Sequence, residues 1–122
     1  INGKQVSQDL AQGIKWIKQA SNAGHPYAQY ILAGFHQSGR AGVPVNEQKA
    51  RTLLHQASKK GLIQAQYLLG RDYEMGTGGP GNMKKAITWY KRAAIRGFPP
   101  AQRRLDAYFR PAAKANKKPA AK

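Results

Sequence analysis

The feature that most limits what this chain can fold into is a spacing. Small and apolar residues recur at steps of 36 or 37: Ala28, Ala65 and Ala101; Gly24, Gly61 and Gly97; Ala20, Ala57 and Ala93; Trp16, Leu53 and Trp89. The extra residue of the longer step falls in the loop from Arg40 to Val43. A fixed period of this size, carried by small and apolar positions, marks a repeat array in which each unit buries its apolar face against its neighbours. The stretch Ala65 to Gly97 is the clearest copy.

Each unit reads as two antiparallel helices, here A and B. In the clearest B helix, Asn82 precedes an apolar stripe of 3.6 periodicity, Met83, Ala86, Ile87, Tyr90, Ala93 and Ala94, and Gly97 follows it. Asp9 and Asn46 hold the same N-cap position, where a side-chain oxygen accepts from a free backbone N–H. Gly24, Gly61 and Gly97 are placed to take the left-handed conformation that ends a helix. The A helices carry Ala28, Ile31, Leu32 and Phe35, then Ala65, Leu68, Leu69 and Tyr73, then Ala101, Leu105, Tyr108 and Phe109. The alanines let paired helices approach closely.

The copy made of Ala65, Leu69, Gly70, Tyr73, Gly76, Gly78, Asn82, Lys85, Ala86, Trp89, Tyr90, Ala93, Ala94 and Gly97 resembles the Sel-one-like repeat (SLR) family, relatives of the tetratricopeptide repeat. The middle copy departs from the pattern with Ala33, His36, Leu53 and Leu54, and the last partial copy with Asp106. The resemblance covers about residues 9–110. It implies an all-α fold, a right-handed α/α superhelical solenoid of antiparallel helix pairs, and a role as a protein–protein interaction scaffold rather than an enzyme. It also implies a bacterial protein of the periplasm or cell envelope, with the cytoplasm as the alternative. At these family core positions, Trp16, Trp89, Tyr73 and Tyr90 are expected to pack inside.

Taken in order, Ile1 to Gln8 corresponds in register to a loop between helices, and the first B helix is expected from Asp9 to Ala23. Six helices in the order B-A-B-A-B-A then make about three repeats across residues 1–110, the first and last incomplete. An end lacking its A helix would turn Ile14, Trp16 or Ile17 toward a missing neighbour, to be covered by self-association or by Ile1 to Gln8 folding back. No run of eighteen apolar residues exists to cross a membrane. Residues 111–122, P-A-A-K-A-N-K-K-P-A-A-K, contain no apolar side chain large enough to offset ordering and read as a disordered basic tail.

Charge is the most unusual part of the composition. Lysine and arginine number 21 against five acids, and with the tail's four lysines set aside, residues 1–110 keep 17 against five, or +12. Register aligns Lys18, His55 and Lys91, Lys49 with Lys85, and Lys60 with Arg96, so Lys18, Lys49, Lys60, Lys85, Lys91 and Arg96 form a basic outer ladder on the B helices. A mixed-sign surface would serve solubility as well, so the single sign favours an acidic partner. The alternative is a non-specific binder of nucleic acid or another anionic polymer, although the chain lacks zinc-finger spacing, a helix-turn-helix cue and ribonucleoprotein aromatics. A second surface lies on the A helices. Tyr30, Tyr67 and Arg103 each stand two residues after a register alanine, with Arg71 one turn further on. Aromatics and arginine are the types enriched at interface hot spots, so this line is the expected partner-binding groove.

Little in the chain suggests chemistry. There is no cysteine, and His25, His36 and His55 form no pair at ligand spacing, so neither a metal nor a cofactor is expected. Asp9, Glu47, Asp72, Glu74 and Asp106 make no acid–base dyad. The glycine-rich loop from Gly76 to Gly81, followed by Lys84 and Lys85, has two readings: a phosphate cradle without the ending of a P-loop, or an ordinary connection between helices.

Overall fold

A computed structural model describes the backbone of residues 3–109 and the side chains of residues 8–109. Six α-helices follow one another: α1 (Gly3–Asn22), α2 (Pro26–Ser38), α3 (Glu47–Lys59), α4 (Ile63–Met75), α5 (Met83–Ile95) and α6 (Pro99–Phe109). Each packs on its sequence neighbours, and among the described residues there is no strand, so the chain is an α-solenoid. In the alternation expected from the repeat, α1, α3 and α5 are the B helices and α2, α4 and α6 the A helices.

Helix ends follow the expected chemistry in the second and third B helices. The side chains of Asn46 and Asn82 accept from the backbone N–H groups of Lys49 and Lys85, each at 3.0 Å. At the other end, Gly24, Gly61 and Gly97 have φ of 93°, 94° and 86°. The following residue in each case donates back to Ala20, Ala57 or Ala93, closing three copies of the same Schellman turn.

The first B helix differs from its expectation. It begins at Gly3, so Asp9 lies within it and is not its cap, and residues 3–8 are helix rather than a loop or a fold-back. The reason is local. Pro44 and Pro80 stand two residues before Asn46 and Asn82, where proline bars a helix from running in, whereas Ser7 holds that position before Asp9. The basic tail expected at 111–122 lies outside the described residues.

Two apolar clusters carry the stack. One joins Leu32, Ala33, Leu53, Leu54, Leu69 and Trp89, and the other Ala86, Tyr90, Ala93, Ala101 and Leu105. Complementary sizes set the spacing between paired helices. A Cβ on Gly70 would fall 2.7 Å from the Tyr90 ring, so only glycine lets α4 and α5 approach this closely. In the preceding pair the same two positions hold Ala33 and Leu54, both fully buried, so a larger residue on the A helix meets a smaller one on the B helix. Trp16 is 63% exposed, which corrects its expected core position but agrees with the expectation that the first B helix turns one of Ile14, Trp16 or Ile17 outward, whereas Ile14 is buried. Trp89 reaches back from α5 into the cluster built around α3, and among the described residues no B helix precedes α1 for Trp16 to reach.

Candidate binding surfaces

The A-helix line is mixed in character. Tyr30 and Tyr67 are half-buried, and Arg71 and Arg103 are exposed. The Tyr30 ring packs against the first cluster and lies 5.7 Å from exposed Tyr27. That of Tyr67 is wedged 5.4 Å from Phe98 and 5.8 Å from Tyr90. Each tyrosine thus supports the stack and stays partly exposed, with Arg71 one turn on from Tyr67 and Gly34 at that position after Tyr30.

On the B helices, Lys18, Lys49, Lys60, Lys85, Lys91 and Arg96 are all exposed, and several have tasks inside the fold. The Lys60 ammonium donates to the Gly24 carbonyl at 2.5 Å, and the Arg96 guanidinium donates to the Gly61 carbonyl. Each therefore reaches one repeat back and satisfies a carbonyl that the Schellman turn leaves free, with a cation at the negative end of the helix. Lys85 stands 5.4 Å from the centre of the Tyr73 ring, and Lys91 stands 5.8 Å from that of Phe109.

Two of the five acids, Asp72 and Glu74, are engaged inside the fold. Glu74 accepts from Arg104 at 2.5 Å and from the Tyr90 hydroxyl at 2.6 Å, tying α4, α5 and α6 together. The Arg104 hydrogen bond holds the Glu74 carboxyl below its ordinary range, while burial, followed by the Glu74 contact, pushes the Tyr90 hydroxyl up. Asp72 is 5% exposed, and burial raises its carboxyl to about 6 despite nearby Arg51 and Arg71. Arg104–Glu74 is the single ion pair among the described residues. Apart from Arg51, the remaining described cations are exposed, with few counter-charges.

The glycine-rich loop is organised by Arg51, a residue that has no basic counterpart in the repeat register. Its guanidinium donates to the carbonyls of Thr77, Asp72, Gly79 and Pro80 at 2.9 to 3.1 Å, and it lies 4.4 Å from the centre of the Tyr73 ring. The loop turns carbonyl oxygens inward onto a cation, which is the opposite of a phosphate cradle. Two of the three histidines are likewise occupied, His36 buried with Nδ1 3.0 Å from the Pro44 carbonyl and His55 meeting Trp89 edge-on at 5.8 Å, while His25 is exposed. Burial, with Lys59 and Lys85 adding to it, lowers the His55 pKa. Among the described residues no group of three His, Asp or Glu side chains is placed to hold a metal ion, and no described helix is long and apolar enough to cross a membrane.

One concavity stands out that sequence reasoning did not find. Between α1 and α3 a cavity of about 640 Å³ is lined by Leu53, Gln29, Gln56, Lys49, Lys59 and Lys60. A second of about 430 Å³ adjoins it, sharing Ser21, Asn22, Lys49 and Leu53 and adding Lys18. Neither lining contains an acid. The signal was available in the departure of Leu53 from the Trp of the other copies.

Comparison with known proteins decides the family. The Sel1 repeat profile matches residues 1–25, 26–62 and 63–98. The chain belongs to the Sel1 repeat family. A solved Sel1 repeat protein from Oxalobacter formigenes superimposes with a TM-score of 0.75 at 32% identity, covering 84% of each chain. The protective antigen c5321 of uropathogenic Escherichia coli, which displays an SLR fold, gives 0.79 at 26% identity, covering 84% of this chain and 22% of its own. Chitin synthase regulatory factor 3 of Schizosaccharomyces pombe is 36% identical over 96 residues, 78% of this chain but 10% of that protein. The chain therefore spans about a tenth of that curated relative. Sel1 repeats form a non-enzymatic scaffold fold that mediates protein–protein interaction, and this Sel1 array is an all-helical member of it.

Proposed function

We propose that this Sel1 array is an adaptor whose basic surface engages an acidic protein partner, in the bacterial cell envelope. The observation that carries the reading is the charge balance of the fold: 17 cations against five acids in residues 1–110, with Asp72 buried and Glu74 already paired. Cations not neutralised within the fold steer and hold a partner of opposite sign. The exposed Arg71 and Arg103, with the partly exposed Tyr30 and Tyr67, give the A-helix side a contact line of the types that carry interface energy. The solved Sel1 repeat structures it is similar to, one of them a protective antigen, come from bacteria and support the bacterial part of this reading.

The test is a comparison of polyanions by fluorescence anisotropy at about 50 and about 200 mM salt, using polyglutamate, heparin and a duplex DNA matched in charge. The adaptor reading predicts that polyglutamate binds at least as tightly as DNA and weakens as salt rises. Duplex DNA binding well above polyglutamate at both salts would favour a nucleic-acid binder instead. Undetectable binding to all three at low salt removes the charge-based reading altogether.

A further inference from the structure

The two cavities between α1 and α3 lie where the repeat has lost a side chain. In the next repeat, Trp89 projects from α5 into the cluster around α3, is 7% exposed, and has the Arg92 guanidinium 4.5 Å from its ring centre. Register sets Leu53 in place of Trp89 and Gln56 in place of Arg92, while Ser21 and Gln29 correspond to Ser58 and Gln66. The scaffolding around the gap is unchanged. Gln29 donates to the Ser21 carbonyl at 3.4 Å, just as Gln66 donates to the Ser58 carbonyl at 3.2 Å. What differs is the filling: Leu53 and Gln56 stand where an indole and a guanidinium stand one repeat on, and Gln56 accepts from Gln29 at 3.1 Å.

We infer that this gap between α1 and α3 is a binding site for an acidic peptide segment that inserts one aromatic side chain beside its carboxylates. Leu53 and Leu32 supply an apolar floor. Lys18, Lys49 and Lys59 line the walls, with no acid among the lining residues to neutralise them. Gln29, 3% exposed, lines the cavity, its amide N–H2 donates to Gln56 at 3.1 Å, and its Oε1 is buried without a partner. The corresponding atom of Gln66 is also unpaired, but there Trp89 already fills the cavity. A pocket with an apolar floor and cationic walls fits a peptide anchor better than a phosphate backbone, which needs charge without an apolar seat. The inference rests on the acidic-partner reading and adds the place and the anchor.

The probe is a fluorescein-labelled, acetylated pentapeptide with tryptophan flanked on each side by two glutamates, compared with the same peptide carrying glycine at its centre. Binding to the full chain is followed by anisotropy at low salt. The site predicts that the tryptophan peptide binds about tenfold more tightly than the glycine peptide. Leu53→Trp, which plugs the gap as Trp89 plugs its own, should bring the two peptides to one affinity while polyglutamate binding stays unchanged. Should Leu53→Trp fail to keep its helical circular dichroism, the surface double variant Lys49→Gln with Lys59→Gln takes its place and should weaken the tryptophan peptide more than polyglutamate. Equal affinity of the two peptides for the wild-type chain, or a tryptophan preference that survives Leu53→Trp, overturns the site while retained polyglutamate binding leaves the adaptor reading standing. Loss of polyglutamate binding by the wild-type chain overturns both. A duplex DNA that loses more affinity than the peptide on Leu53→Trp overturns the peptide assignment.

Discussion

Asp72→Asn should make the protein's stability less dependent on pH, and by an amount that follows from the burial of this one carboxylate. Asp72 accepts from the Gln37 side chain at 3.4 Å through Oδ1, and its buried Oδ2 has no partner. Burial therefore outweighs the attraction of Arg51 and Arg71, and the carboxyl rises from its ordinary 3.8 to about 6. That gap corresponds to about 3 kcal/mol. Because the folded pKa lies above the unfolded one, the stabilising contribution is complete below about pH 4 and is lost as pH rises through about 6. Between pH 7.5 and pH 5 the wild-type chain should gain about 1.4 kcal/mol from this group on acidification. An asparagine side chain at this position cannot titrate, so the variant should lack that gain. It should also be more stable than wild type at pH 7.5, less about 1 kcal/mol for an amide N–H2 left unpaired. The lowered His55 pKa acts in the opposite direction, favouring the folded state at higher pH, but it is common to both proteins and cancels in the difference. Urea melts of the two proteins at pH 5, 6 and 7.5 measure the difference. A wild-type minus variant difference that does not change with pH would refute the reasoning, since it would mean that Asp72 is solvated.

Arg51→Ala should cost about 2 to 4 kcal/mol in chemical denaturation, because the carbonyls of Thr77, Gly79 and Pro80 lose its donors and the loop its tie to the Asp72 carbonyl at the end of α4. Arg51→Lys should recover little of it, because an ammonium lacks the fork that reaches all four. Polyglutamate binding should hardly change, as one cation of 21 is removed. Gly70→Ala should cost about 1 to 3 kcal/mol, as its Cβ meets the Tyr90 ring at 2.7 Å. Combined with Tyr90→Leu, which recreates the Ala33 and Leu54 pairing, the double variant should be more stable than the sum of the single effects predicts, a coupling read from a double-mutant cycle.

The period, the alternation of helices and the glycine closures were legible because they are set by local chemistry that repeats. Asn46 and Asn82 cap because prolines two residues earlier end whatever precedes them; Asp9 has the same side-chain chemistry without that stop, and the helix runs through it. Trp16 and Trp89 occupy one register position, yet burial depends on a preceding helix, which register cannot supply. The ladder placed Lys60 and Arg96 on the outer face but not their hold on the carbonyls of Gly24 and Gly61, which depends on the distance between successive helix ends. Arg51 escaped notice because it is an isolated departure from the repeat, and only the folded loop shows its four acceptors. The gap beside Leu53 was implicit in a Trp-to-Leu departure, whose consequence appears once the neighbouring helices are in place.

The most direct test of the account is a nitrogen–proton chemical-shift titration of the full chain with the tryptophan-centred acidic pentapeptide. If recognition is local, the largest perturbations should fall on Asn22, Gln29, Leu53, Gln56 and Lys59 around the gap between α1 and α3, with little change on α5, where Trp89 fills the equivalent space. Perturbations spread evenly over the lysine-bearing faces of α1, α3 and α5 would contradict it, showing that the peptide reads charge alone.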